Sequence, residues 1–223
     1  MQHLNLIQQV AVWALPVLFA ITVHEVAHGW VAKQLGDPTA MMLGRLTLNP
    51  LKHIDPVGTI LVPLSLIVLS QLTSGGFFIF GWAKPVPISA DNLHHPKRDM
   101  AFVAAAGPMA NLIMALIWAL IMKLTQLVPH SYASLALPLA LMCVAGIGIN
   151  VLLMVLNLIP VPPLDGSKVV AGFLPDPLAW KFSRLEQYGL IILLLLMVTG
   201  ILGNIMGPPM AIVQNLIYRM FGL

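Results

Sequence analysis

The chain has 223 residues, of which 59% are hydrophobic and only 9% charged, with a mean hydropathy of +0.91. A water-facing core of this size cannot hide so much apolar side chain, and disordered chains are poor in it, so neither class fits. A net charge of +3 from 11 basic and 8 acidic residues, with no basic run, argues against a nucleic-acid partner and leaves an integral membrane protein with short loops.

Five apolar stretches are predicted in chain order. The first covers residues 4–32, contains Pro16 and is preceded by no Lys or Arg. Without the basic segment of a cleaved signal peptide, it is expected to persist as a helix. The second, residues 57–72, is about 16 residues long and barely spans a hydrocarbon core that takes ~20. Residues 75–88 differ in texture, with aromatic and β-branched residues punctuated by Gly and Pro, and predict extended strand or hairpin. The third stretch is 100–122, the fourth 135–156 and the fifth 188–206, followed by a tail, 208–223, that either spans or lies at the interface. The expected fold is an all-α integral membrane protein. It has five to six transmembrane helices and a small membrane-embedded β-hairpin or strand. It forms a single domain over 1–223, with a core at 4–175 and C-terminal helices at 185–223. Cys143 is the only cysteine, which excludes an internal disulfide and a cysteine cluster to hold a metal.

Basic residues set the expected orientation. Lys33, Arg45 and Lys52 follow the first stretch, Lys84, Lys97 and Arg98 precede the third, and Lys168, Lys181 and Arg184 follow the fourth; Lys123 alone lies between the third and fourth. The positive-inside rule puts the three groups in the cytoplasm and the N-terminus outside. The second stretch and the 77–88 strand would then cross inward and back.

The first stretch carries His24-Glu25-Val26-Ala27-His28. An ionisable group at mid-bilayer costs about 2.5–3.5 kcal/mol on insertion scales, so such groups need partners, water or a metal. On a helix, positions four apart share a face, and both imidazoles can reach one ion. Glu25 is offset from that face and placed to touch a water, which is the zinc-metalloprotease arrangement. The plainer alternative is a proton relay, which makes a proton- or ion-coupled transporter the competing function.

Two histidines leave catalytic zinc one ligand short. His3 and His130 fall on the opposite side of the membrane, and His53, His94 and His95 fall in polar loops where solvation is the expected state. Asp165 is the better candidate. Pro160, Pro162 and Pro163 stop the fourth helix, the chain beyond is expected to be extended, and Gly166 would allow a sharp bend. Taken alone, Asp165 is equally well read as a turn-capping carboxylate.

His24-Glu25-Val26-Ala27-His28 together with Asn157, Pro160, Asp165 and Gly166 resembles the site-2 protease family of intramembrane zinc metalloproteases. That family pairs H-E-x-x-H with a later N-x-x-P-x-x-x-x-D-G segment. Gly107-Pro108-Met109-Ala110-Asn111 is similar to the family's G-P-x-x-N stretch, and the segments 44–50 and 81–86 look like those of short members without appended soluble domains. The resemblance implies one Zn2+ held by His24, His28 and Asp165, Glu25 as catalytic base, and Asn157 near the zinc, holding substrate or oxyanion. Asn157 could instead satisfy carbonyls at its helix end. Asn111 either orients the site or simply belongs to a small-residue packing face with Ala104, Ala105, Ala106, Gly107 and Ala110. The implied partners are a transmembrane protein substrate and the lipid bilayer, with a homo-oligomer or membrane adaptor possible. The implied location is the cell membrane, with the site toward the cytoplasm. The 77–88 strand is expected to capture an unwound substrate by edge addition.

Overall fold

The computed structural model describes residues 5–62, 64–65, 81–129 and 132–223. Helix α1, Leu6–Gln34, opens with a reciprocal cap in which Gln8 N–H donates to Asn5 Oδ1 and Asn5 N–H donates to Gln8 Oε1. This pairing satisfies amide donors that a helix start otherwise leaves open. Its 29 residues make a rod about 43 Å long, more than the ~30 Å hydrocarbon core. His24 therefore sits past its midpoint, toward the C-terminal end. A short turn, α2, spans Thr39–Met42. Then come α3, Pro96–Thr125, and α4, Ala133–Leu158. They are followed by α5, Asp165–Phe173, and α6, Asp176–Ser183. The chain closes with α7, Gly189–Val198, and α8, Ile201–Phe221.

Helices α1, α3 and α4 pack on one another, and α5 docks against α3. Small residues make the close approach possible: Ala104, Ala115 and Ala119 on α3 and Ala145 on α4 are buried. A Cβ at Gly146 would lie 2.5 Å from the Trp118 ring, so α4 leaves a bare backbone patch for that indole. Such small-residue seams suit helices in lipid, where apolar burial alone does not drive association. The outer faces remain apolar, with Ile7, Val10, Ile113, Leu120 and Leu137 exposed.

Among the described residues, three helices (α1, α3 and α4) hold segments long and apolar enough to cross a membrane, Ile7–Gln34, Pro96–Thr125 and Ala136–Leu158. A fourth span is possible if the bent pair Asp176–Val198 and Ile201–Phe221 counts as one. This corrects the expectation of five to six. The fifth apolar stretch is not a straight helix. It breaks at Gly200, whose φ of 74° is left-handed, and the two arms meet at 80°. Only glycine enters that region without a Cβ penalty. The tail is the C-terminal part of α8 and not a separate element. The second apolar stretch opens as a π-helical turn, Pro56–Leu61, and residues 63 and 66–72 of it lie outside the described residues.

The strand expectation also changes. Residues 77–80 lie outside the described set, and 81–89 form neither strand nor helix; among the described residues there is no strand. Side chains and loops take the place of a ladder partner. Trp82 N–H donates to Gly58 O, Lys84 N–H to His53 O, and Arg45 Nη2 to Lys84 O and Pro85 O. Thr59 Oγ1 donates to Trp82 O.

Buried Asp37 ties this strap to the end of α1. Its carboxylate accepts from the Thr39 hydroxyl, from Thr39 N–H at 3.1 Å, from Ser89 N–H at 2.7 Å and from Asn92 Nδ2 at 3.0 Å. Burial pushes its pKa up, but the donors from Asn92, Thr39 and Ser89 outweigh it and hold the carboxyl below its usual range. The unfolded chain then binds the proton more readily. The stabilisation is complete above about pH 4 and fades as pH falls toward the folded pKa. Asp37→Ala is expected to cost about 3 kcal/mol at pH 7, and its deficit in thermal midpoint relative to wild type should narrow below about pH 4. A deficit that does not change with pH would show that the carboxylate charge is not what the loop uses.

Candidate metal centre

His24 and His28 lie one turn apart on α1, each only 7% exposed. Their rings meet nearly perpendicular, at 86°, with the two Nε2 atoms 3.0 Å apart. Asp165 Oδ2 stands 3.2 Å from both. Among the described residues, His24, His28 and Asp165 form the grouping able to hold a metal ion.

The far sides of the rings decide the chemistry of the near sides. His24 Nδ1 is 2.6 Å from Asn111 Oδ1, and His28 Nδ1 is 2.7 Å from Val103 O. A backbone carbonyl can only accept, so His28 Nδ1 carries the proton. Asn111 Nδ2 lies 3.1 Å from Ala20 O, another pure acceptor. That turns the amide so that its oxygen faces His24, and His24 Nδ1 must donate as well. Both neutral rings then aim Nε2 lone pairs at each other and at Asp165 Oδ2. That buried oxygen has no hydrogen-bond donor, although it lies close to both nitrogens. Three converging lone pairs repel unless a cation lies among them. Tetrahedral zinc with bonds of about 2.0–2.2 Å spaces its ligand atoms about 3.3–3.5 Å apart, within a few tenths of the separations here. The donor set therefore fits zinc.

Two glycines let the site close. A Cβ on Gly107 would fall 2.4 Å from His28 Nε2 and 2.5 Å from His24 Cε1, so α3 presents bare backbone to the rings. A Cβ on Gly166 would fall 2.4 Å from Leu158 O. Gly166 thus serves close packing of α5 on the end of α4. The expected extended chain with a bend at Gly166 is replaced by a helix that begins at Asp165 itself.

Glu25 is half-buried beside His24, and Val86 N–H donates to its Oε2 at 2.8 Å. This bond explains why 81–89 makes no sheet edge. N–H groups at 82, 84 and 86 turn inward, and of the alternate set two positions, Pro85 and Pro87, have no N–H. Edge capture of substrate is not supported over this stretch.

The structure brings His24, His28 and Asp165 together. Asn157 Nδ2 donates to Leu153 O at 3.0 Å, within its own helix. His53 is buried rather than solvated, with its Nε2 3.0 Å from Thr47 O. His94 and His95 are exposed as expected. His3 and His130 lie outside the described residues. The sequence reading underrated Asn111 and missed Asn150, although an amide within an apolar span is itself a signal.

Two imidazoles and a carboxylate converging between membrane-length helices, with a glutamate alongside, define a membrane-embedded metallohydrolase. The chain belongs to peptidase family M50, the site-2 protease family, which residues 12–132 match. It is 35% identical over 210 residues to YwhC of Bacillus subtilis, covering 92% of this chain and 88% of that one. It is 30% identical over 188 residues to Rip2 of Mycolicibacterium smegmatis, covering 84% and 66%, and 28% identical over 183 residues to Rip2 of Mycobacterium tuberculosis strain H37Rv, covering 80% and 63%. All three carry zinc-metalloprotease names. No solved structure matches the chain. The chain is an intramembrane zinc protease and an integral membrane protein, and the transporter reading is not supported.

Proposed function

We propose that this chain hydrolyses peptide bonds in or near transmembrane segments of membrane-protein substrates. In this reading His24, His28 and Asp165 hold the zinc, and Glu25 carries the proton. The convergence of two Nε2 lone pairs and an unpartnered carboxylate oxygen supports the reading. Zinc held there would supply Lewis acidity, acidifying water and polarising the scissile carbonyl. Glu25 takes a proton from the attacking water and returns it to the leaving amine, acting as base and then acid. Val86 N–H fixes the carboxylate that does so. Asn157 has one N–H committed to Leu153 O, and its second is available to an oxyanion.

A helical substrate must unwind before attack, because its carbonyls are already hydrogen-bonded in the ladder. The chain would act as one catalytic unit over 1–223 in the cell membrane, with its N-terminus outside and the site toward the cytoplasm. Basic loops on one side of the spans and the position of His24 past the middle of α1 support that orientation. Substrate choice would rest with the membrane core, a second copy or a membrane adaptor.

The test is zinc content together with cleavage of a test transmembrane substrate by the purified chain. One zinc per chain and cleavage are expected for wild type, and loss of metal for His28→Ala. A wild-type chain that cleaves after complete metal removal would overturn the reading.

A further inference from the structure

Behind the two histidines runs a chain of buried amides. Asn111 and Asn150 are both fully buried, at 0% exposure. One N–H of Asn111 Nδ2 goes to Ala20 O at 3.1 Å, and the other goes to Asn150 Oδ1 at 2.9 Å. Asn150 Nδ2 in turn donates to Gly146 O at 2.8 Å, on its own helix. Each link fixes the next. Gly146 O only accepts, so it sets which end of the Asn150 amide faces α3. The Asn150 oxygen then requires the nitrogen of Asn111, and the Asn111 oxygen requires a protonated His24 Nδ1. Both amides are wholly buried, so bulk water cannot replace a lost partner.

We propose that Asn150 is a positioning residue. Through Asn111 it fixes the tautomer and ring angle of His24 and so raises the affinity of the site for zinc. The proposal rests on the reading of His24 as a zinc ligand. Asn150 touches neither ring. Its effect is that of an outer partner orienting a ligand, a role whose loss typically weakens metal binding 10–100-fold. Asn150 lies seven residues before Asn157 on the same helix, so α4 carries both amides on one face.

The experiment uses the full chain in detergent, with zinc affinity read by competition against a chromophoric chelator and the thermal midpoint of the metal-free chain read in parallel. Asn150→Leu keeps the branching at Cγ and removes the acceptor, and about tenfold weaker zinc binding is expected. Asn150→Asp keeps an acceptor oxygen toward Asn111 and should bind several-fold more tightly than Asn150→Leu. Should Asn150→Leu fail to fold, Asn150→Ser decides. Its hydroxyl can bond its own helix but falls short of Asn111, so it should weaken zinc binding as Asn150→Leu would. Zinc affinity unchanged in Asn150→Leu or Asn150→Ser, with only the thermal midpoint lowered, would overturn the proposal and leave the metal-site reading intact. A wild-type chain that binds no zinc would overturn both.

Discussion

Glu25→Gln is expected to retain one zinc per chain and to lose peptide hydrolysis by about 10²–10⁴-fold, the usual contribution of general acid–base catalysis. The geometry makes this substitution unusually clean. The Glu25 carboxylate accepts Val86 N–H at 2.8 Å, and a glutamine oxygen can accept the same bond. The strap over 81–89 should therefore keep its anchor, and the histidines one residue before and three after are untouched. What disappears is a group able to take a proton from water and pass it on. Metal analysis separates this outcome from a folding defect. A purified Glu25→Gln chain with full zinc that cleaves a transmembrane substrate at the wild-type rate would remove Glu25 from the chemistry.

Gly107→Ala is the second large effect, and it needs no change to any polar group. The new methyl carbon would lie 2.4 Å from His28 Nε2 and 2.5 Å from His24 Cε1. A flexible side chain could swing aside, but these rings are held at their far nitrogens by Val103 O and Asn111 Oδ1. Either α3 backs away or the rings rotate off the metal. Overpacking of this kind costs typically 1–3 kcal/mol in stability. The loss of zinc should be greater, because the clash falls on the ligand nitrogens themselves. Substoichiometric zinc and activity reduced at least 100-fold are expected. Gly148→Ala is the control: a Cβ there meets nothing within 4 Å, and the helix should gain slightly in stability. Equal zinc content in the two variants would show that α3 does not approach the rings as described.

The metal triad was legible because its chemistry is written in local patterns. His24 and His28 are spaced by one helical turn inside a span where charge is costly, and Asp165 follows a proline-stopped helix at a recognisable offset. The partners that orient the site were legible only in part: Asn111 stood out as one reading of its stretch, but Asn150 and Val86 did not. Asn111, Asn150 and the Val86 N–H come from three distant segments, and only tertiary packing gives them a common purpose. Gly107 looked like one small residue in a packing stripe, yet the structure shows that the rings occupy the place of its missing Cβ. Gly200 sat inside an apolar run, and hydropathy carries no information about a left-handed φ, so an 80° break read as a continuous span. At 81–89 the β-like composition was real, but Pro85 and Pro87 deny it a ladder on one side while loops consume the other.

The strap that restrains Glu25 is fastened almost wholly through its peptide groups: Trp82, Lys84 and Val86 by their N–H, and Lys84 and Pro85 by their carbonyls. A peptide N–H belongs to every residue but proline, so the donor that Val86 offers Glu25 does not depend on which side chain stands there. The restraint on the proton carrier is thus written in main-chain atoms, and among single substitutions at 86 only Val86→Pro would remove it outright.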